Sequence, residues 1–304
     1  MGRIVLLTGG PAAAPTDNAA LLARAFADAG WTVSSACIDT LRLDANRVLV
    51  RDAGGVDLDL GEATLLWLLG FGRRETYLDK MQLLGALAAW VPCVNGIEAI
   101  LQLHGKYALA VQPLPFPHPD TSAYSEPEAL VAHARRRGGR WVLKPPGGSF
   151  GQDVHVVDAE DPALPTLAER ATAGGRYVLL QRYLPEVRNG EHRVLVAGGR
   201  LIGAYRREPR PGPSNLAAGG VARPADADPA RDALALAVAH WLLERGIRFA
   251  GLDIAGTTLL EVNVVNPGGL ATLAGLGEGD RSGDVVSAVL QSLSFATGPL
   301  ALPA

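Results

Sequence analysis

Residues 251–263 read Gly-Leu-Asp-Ile-Ala-Gly-Thr-Thr-Leu-Leu-Glu-Val-Asn, and these two short apolar runs around a Gly-containing turn constrain the chain more than any other stretch. Residues two apart on a strand share a face, so Glu261 and Asn263 project together. A three-residue loop at Gly256, Thr257 and Thr258 places Asp253 directly opposite Glu261. Two carboxylates and an amide on one face form an open set of hard oxygens. Such a set suits Mg²⁺, which keeps several waters and is usually completed by substrate phosphates. A nucleotide is therefore expected, although the same residues also read as a solvated hairpin and need partners elsewhere in the chain.

Composition narrows the setting. The 304 residues suggest about two domains, and 48% hydrophobic with 19% charged residues excludes wholesale disorder. A net charge of −3 gives no overall basic footprint, so a nucleic-acid partner is not expected. No apolar run reaches the ~20 residues needed to span a bilayer, and no membrane segment is expected. Cys37 and Cys93 both lie in apolar stretches and read as buried reduced thiols, which fits a cytoplasmic protein. Of the 28 basic residues only Lys80, Lys106 and Lys144 are lysine. Where arginine serves the surface, a lysine marks a place that needs a compact ammonium, as phosphate coordination does. Lys80, on an amphipathic helix predicted from about Arg74 to Ala89, is read instead as an exposed cation.

The first third alternates strand and helix, with strands at Ile4 to Leu7 and Trp31 to Ala36 around a helix at Asn18 to Ala29, a βαβ opening. Gly9-Gly10-Pro11 lacks the full dinucleotide spacing, and Pro11 has no amide hydrogen to offer. Prolines at 113, 115, 117 and 119 suggest a stiff connection. Beyond it, strands at Trp141 to Lys144, Val154 to Val157 and Tyr177 to Tyr183 follow a helix at Glu126 to Arg137. Another strand pair, Arg193 to Ala197 and Arg200 to Tyr205, leads to a helix at Pro229 to Arg245, the hairpin, and a last helix at Asp284 to Phe295. Three segments result: 1–112, an N-terminal α/β domain; 113–183, a small lid; and 184–304, carrying the metal set.

Two further stretches carry chemistry. Leu143-Lys144-Pro145-Pro146-Gly147-Gly148-Ser149-Phe150-Gly151 is a strand ending in Lys and a glycine loop, whose backbone can approach a polyphosphate and aim amide hydrogens at it. A plain hairpin loop is the competing reading. Gln181-Arg182-Tyr183-Leu184, running on to Glu191 and Arg193, can hold a base on the strand and a ribose on the acid. Read alone, Glu191 and Arg193 are equally a surface ion pair.

Together these segments resemble the ATP-grasp superfamily, and within it prokaryotic glutathione synthetase. The most specific blocks are Gln181 to Pro185 through Gly190 to Val196, Asn215-Leu216-Ala217-Ala218-Gly219-Gly220, Gly246 through Gly251 to Ile254, and Glu261-Val262-Asn263. The string Asn95 to Lys106 resembles the family's Asn followed eleven residues later by an ATP-binding Lys. The resemblance implies an α/β, partly α+β, ATP-grasp fold in which two α+β subdomains clasp ATP behind the N-terminal domain. By that likeness Lys106, Lys144 and the loop Gly147, Gly148, Ser149, Phe150 and Gly151 bind ATP phosphates. Gln181, Arg182, Tyr183 and Leu184 line the adenine pocket, Glu191 holds the ribose, and Asp253, Glu261 and Asn263 carry Mg²⁺. Arg193 and Arg207 match arginines near the transferred phosphate and the substrate. Asn215, Ala217, Ala218, Gly219 and Gly220 match a substrate-covering loop, with Gly268 and Gly269 on the substrate side.

The implied reaction is amide ligation of a small carboxylate and a small amine. The carboxylate takes the γ-phosphate as an acyl phosphate, and the amine displaces phosphate, leaving ADP and Pi. No nucleophilic side chain is required, and no Ser/His/Asp or Cys/His constellation stands out. The likeness also implies a homo-oligomer. Departures gather where γ-glutamylcysteine would bind: Leu69-Gly70 where the family has a basic residue, Pro213 or Ser214 where it has arginine, and Asn266-Pro267-Gly268-Gly269 where Ser-Pro and polar or thiol residues are usual. Arg73 and Arg74 stand nearby in sequence as substitutes. Glutathione synthesis leads; a related ligase making another small amide, or a nucleotide-binding regulator without turnover, are the alternatives.

Overall fold

The computed structural model describes residues 2–10, 18–147, 153–208 and 221–296. The first sheet contains β1 (Arg3–Thr8), β2 (Thr32–Asp44), β3 (Arg47–Asp52), β4 (Asp57–Asp59), β5 (Leu65–Leu68) and β6 (Cys93–Val94), in the order β4-β3-β2-β1-β5-β6. β1 runs parallel to β2 on one side and to β5 on the other. Ile4, Val5, Leu6 and Leu7 are all buried, as expected of a central parallel strand covered on both faces. Helix α1 (Ala19–Asp28) makes the first crossover and buries Leu22 and Phe26. Between β5 and β6 comes α2 (Tyr77–Leu87), followed by α3 (Ile97–Leu103) and α4 (Ala108–Val111). The predicted βαβ opening is present. The antiparallel extension through β3 and β4 was not anticipated, because its strands are short and rich in charge.

The second sheet, β7 (Thr121–Tyr124), β8 (Arg140–Lys144), β9 (His155–Asp158) and β10 (Val178–Arg182), is antiparallel in the order β7-β10-β8-β9. Helices α5 (Pro127–Arg137) and α6 (Leu164–Thr172) belong to the same unit, which has its own apolar core of Leu130, Trp141, Leu143, Leu164 and Leu180 among others. The third sheet contains β11 (Glu191–Ala197), β12 (Arg200–Glu208), β13 (Val221–Pro224), β14 (Phe249–Ala255) and β15 (Thr258–Asn263), in the order β13-β12-β11-β14-β15. Helices α7 (Pro229–Glu244), α8 (Leu270–Leu273) and α9 (Ser282–Ala296) complete the helices of this part among the described residues. Asp228 caps α7 by accepting from the Ala230 and Arg231 amides, just ahead of Pro229 at the first helical position.

Cores of the first and third sheets are continuous. Ile4, Leu6 and Trp67 pack in one cluster with Leu195, Ala197 and Phe249, and the Trp67 and Phe249 rings meet edge to face at 5.8 Å. Asn95 clips the two sheets together from within the core. Its Nδ2 donates to the Phe249 and Val264 carbonyls at 2.7 and 2.6 Å, and its Oδ1 accepts from the Arg248 and Phe249 amides at 2.6 and 2.9 Å. Among the described residues no helix is long and apolar enough to cross a membrane.

Candidate functional site

One row of paired residues crosses the third sheet. Tyr205 on β12 faces Arg193 on β11, Arg193 faces Asp253 on β14, and Asp253 faces Glu261 on β15. The expected opposition of Asp253 and Glu261 is thus present, reached by a different route. The turn has two central residues, Gly256 and Thr257, with Ala255 paired to Thr258 and Ile254 to Leu259; a bulge between Asp253 and Ile254 then restores the register. Gly256 carries a φ of +55°, which the tight turn requires.

Arg193 Nε donates to Asp253 Oδ1 at 2.6 Å and Nη2 to Oδ2 at 3.0 Å, while Nη1 donates to the Pro267 carbonyl. Arg207 Nη2 donates to the same Oδ1 and lies 2.8 Å from Glu191 Oε1. Asn263 Nδ2 donates to Asp253 Oδ2 at 3.2 Å. Burial alone would raise the Asp253 carboxyl, but Arg193 and Arg207 outweigh it and hold the group far below the usual carboxylate range. Glu191 moves the other way: burial and the charge of Asp253 push its carboxyl up against the pull of Arg207 and Arg193. Glu191 therefore belongs electrostatically to the same acid cluster.

Glu261 is faced by both predicted lysines. Lys106 Nζ lies 3.4 Å from Oε1 and Lys144 Nζ 3.5 Å from Oε2. Lys106, at a φ of +64°, also donates to the Pro146 carbonyl at 2.8 Å, tying the α3 side of the site to the glycine loop. Lys144 ends β8, and burial pulls its ammonium down from the ordinary value against the opposing charge of Glu261. Asp253, Glu261 and Asn263 are hard oxygen donors on adjacent strands, and that chemistry fits Mg²⁺. The third donor is an amide: among the described residues no three His, Cys, Asp or Glu side chains gather as a metal cluster. Arg207 Nε is buried without a partner among the described residues, so the site holds a donor suited to an incoming anion.

On the second sheet, β10 places Gln181 between Thr121 and Val142, and Gln181 Nε2 donates to Thr121 Oγ1 at 2.9 Å. Arg182 differs from the expectation. Its guanidinium lies 3.8 Å from the Trp141 ring centroid and donates to the Gly138 carbonyl at 2.6 Å, packing that explains the side chain without a ligand. The Arg182 and Tyr183 amides are taken by the Asp120 and Arg140 carbonyls. Leu184 follows them at the entrance to the third sheet. Gly147 is the last described residue of the glycine loop; Gly148, Ser149, Phe150 and Gly151 lie outside the described residues, as do Asn215, Ala217, Ala218, Gly219 and Gly220. Gly268 and Gly269, at φ of +67° and +98°, turn the chain just after the Pro267 carbonyl that holds Arg193.

Two groups at the site escaped sequence reasoning. His104 stands two residues before Lys106, and its Nε2 lies 3.5 Å from where a Cβ on Gly147 would sit. Burial, with Lys106 nearby, pulls its imidazole down to about 4, so it is neutral. The Pro267 carbonyl is a backbone acceptor, which no residue type betrays. Lys80 is a correction: it is buried, not exposed, and its ammonium is held by Asp39.

The model of the prokaryotic glutathione synthetase ATP-grasp domain matches residues 108–277. A glutathione synthetase from Parasynechococcus marenigrum is 40% identical over 144 residues, covering 46% of this chain and 47% of that one. The chain thus spans about half the length of the curated relatives it matches. Among solved structures, D-cycloserine synthetase DcsG superimposes with a TM-score of 0.67 at 16% identity, over 94% of this chain and 99% of that one. A RimK domain ATP-grasp protein from Sphaerobacter thermophilus gives 0.63 at 23% identity, over 95% and 99%. These two likenesses establish the fold.

Proposed function

The chain belongs to the prokaryotic glutathione synthetase ATP-grasp family, and from that premise we propose that it is an ATP-dependent ligase joining a carboxylate to an amine, with γ-glutamylcysteine and glycine as the leading pair. The observation that carries this reading is Glu261 facing Lys106 and Lys144 at 3.4 and 3.5 Å while Asp253 stands opposite it on the next strand. That geometry provides ammonium groups for phosphate oxygens beside oxygens for a cation.

In this reading Lys106 and Lys144 leave Glu261 for the triphosphate, and Asp253, Glu261 and Asn263 hold Mg²⁺. The ion, when bound, neutralises charge on the phosphates. Arg193 and Arg207 orient Asp253 and lie beside the transferred phosphoryl group. The substrate carboxylate oxygen attacks the γ-phosphorus and ADP leaves. The amine nitrogen then attacks the acyl carbon, loses its proton and expels phosphate, closing the amide. The protein contributes position and fixed charge instead of a nucleophile. Gln181, Tyr183, Leu184 and the backbone of Arg182 are assigned to the adenine, Glu191 to the ribose side and Gly268 and Gly269 to the substrate side. A boundary near 113 and another near 184 would set the lid, 113–183, between the two flanking units. Free thiols at Cys37 and Cys93 agree with a cytoplasmic setting, and homo-oligomerisation is expected from the likeness alone.

A related ligase for another small amide is the second reading. It is favoured by Gly70, whose Cβ position is filled by the backbone of Gly9, so the basic residue expected there cannot be accommodated without moving a strand end. ADP release against a panel of carboxylates and amines decides between them. Stimulation by γ-glutamylcysteine with glycine supports glutathione synthesis, stimulation only by another pair supports the second reading, and silence throughout leaves a nucleotide-binding regulator.

A further inference from the structure

Lys80 is the one lysine that the nucleotide site does not use, and it is 5% exposed. From α2 its Nζ donates to Asp39 Oδ1 at 2.5 Å, to the Phe71 carbonyl at 2.8 Å and to the Arg73 carbonyl at 3.1 Å. Three donors meet three acceptors, which saturates the ammonium. The same Asp39 oxygen accepts from the Arg73 amide at 2.8 Å. Burying a charge is costly, and an apolar side chain of the same length would fill the space as well or better. A charge here serves to fix three particular oxygens.

Those oxygens fix a loop. Gly70 packs on Gly9, and Gly72 sits at a φ of +61° where a Cβ would fall on the Asp39 carboxylate. Residues 69–73 are therefore clamped from both sides. The loop leaves the C-terminal end of β5, next to the end of β1, where the chain has gone to β2 on one side and returns at β5 on the other. Open parallel sheets take ligands in such a crevice. At the middle of the loop the Phe71 ring meets His104 edge-on, centroids 4.6 Å apart, and His104 in turn borders Gly147. Beyond Gly72, the Arg73 side chain is 66% exposed, with its Nε 3.8 Å from Asp39.

We propose that Lys80 and Asp39 are a positioning pair that holds residues 69–73 so that Arg73 meets a carboxylate of the ligase's carboxylate substrate. This rests on the ligase reading above. Lys80 touches no substrate itself; it acts through the loop.

The test compares wild type with Lys80→Met, using ATP, glycine and γ-glutamylcysteine as probes. The pair predicts a rise of about tenfold in KM for γ-glutamylcysteine with KM for ATP held within about twofold. Arg73→Ala should give a similar rise, and the double variant little more, because both act at one contact. Equal losses in both KM values alongside a lowered Tm would make Lys80 merely structural and overturn the proposal, as would an unchanged KM for γ-glutamylcysteine. If Lys80→Met does not fold, Asp39→Asn replaces it. Should the wild type be silent with γ-glutamylcysteine, the ligase assignment to that pair fails on its own. Hydrogen exchange then judges the positioning pair: amides 70–73 must exchange at least about tenfold faster in the variant, and unchanged protection rejects it.

Discussion

Arg193 grips Asp253 through two nitrogens, at 2.6 and 3.0 Å, with both side chains buried. Breaking such a pair by removing one partner leaves an uncompensated buried charge, at a typical cost of about 3–5 kcal/mol. Arg193→Ala should fall toward the lower end, because Arg207 also donates to Asp253. Urea unfolding checks this: loss of stability is expected in Arg193→Ala, with part of it recovered in Arg193→Ala/Asp253→Ala. Equal stability of the single variant and wild type would contradict the packing described.

Both acids of the proposed metal set are occupied by cations of the chain itself: Asp253 by Arg193 and Arg207, Glu261 by Lys106 and Lys144. A divalent ion arriving alone must compete with these, whereas in the proposed reading a triphosphate draws off the lysines. Mn²⁺ binding followed by electron paramagnetic resonance should therefore tighten by at least about tenfold when a non-hydrolysable ATP analogue is present. By linkage the ion should tighten the analogue equally. Equal Mn²⁺ affinity with and without the nucleotide would refute the competition.

Glu261 is the carboxylate shared by both lysines, so its charge and theirs are separable. Glu261→Gln removes the proposed cation ligand and Lys144→Ala the proposed phosphate contact; each should lower kcat by at least about a hundredfold. Far-ultraviolet circular dichroism should stay close to wild type, since neither side chain belongs to an apolar core cluster. Near-normal turnover in either variant would remove the assigned roles.

The hairpin was legible because period-two alternation and a glycine turn are local signals. Its loop length was not, because a bulge after Asp253 absorbs the residue that the turn lacks. Arg193 beside Asp253 follows from a strand pairing 60 residues apart in sequence, and the family likeness put Arg193 only near the transferred phosphate. Lys80 was misread for the same reason: nothing near it reveals Asp39, 41 residues upstream. Arg182 was assigned to the nucleotide from its place in the strand, yet strand alternation turns it toward Trp141. Types of residue and short-range spacing thus picked out acids and lysines that the structure brings together, while partners reached through the sheets had to be observed.

His104 gives stability a pH dependence. Its folded value, about 4, lies below the 6.5 of the unfolded chain because of burial and Lys106. Below 6.5 the unfolded state takes up a proton that the folded state refuses, so stability is fully present above that pH and falls as the pH drops toward 4. At pH 5 the loss from this group is about 2 kcal/mol. Urea midpoints at pH 7.5 and 5 should differ more in wild type than in His104→Gln. Identical differences would exclude His104 as the source.

Asn95 makes the most specific stability prediction, because four backbone groups of Arg248, Phe249 and Val264 depend on its amide. Leaving a buried donor or acceptor unpaired costs about 1–3 kcal/mol each, and in Asn95→Ala some of these groups stay unsatisfied. A loss of roughly 4 kcal/mol is expected, concentrated where the first and third sheets join. Asn95→Asp retains the two acceptor contacts but loses both donors, so it should be damaging too. The second sheet has its own core, and its amides should keep their hydrogen-exchange protection in both variants. Protection lost first in β8 and β10, with the junction intact, would place the weakness in the wrong unit and overturn the clip.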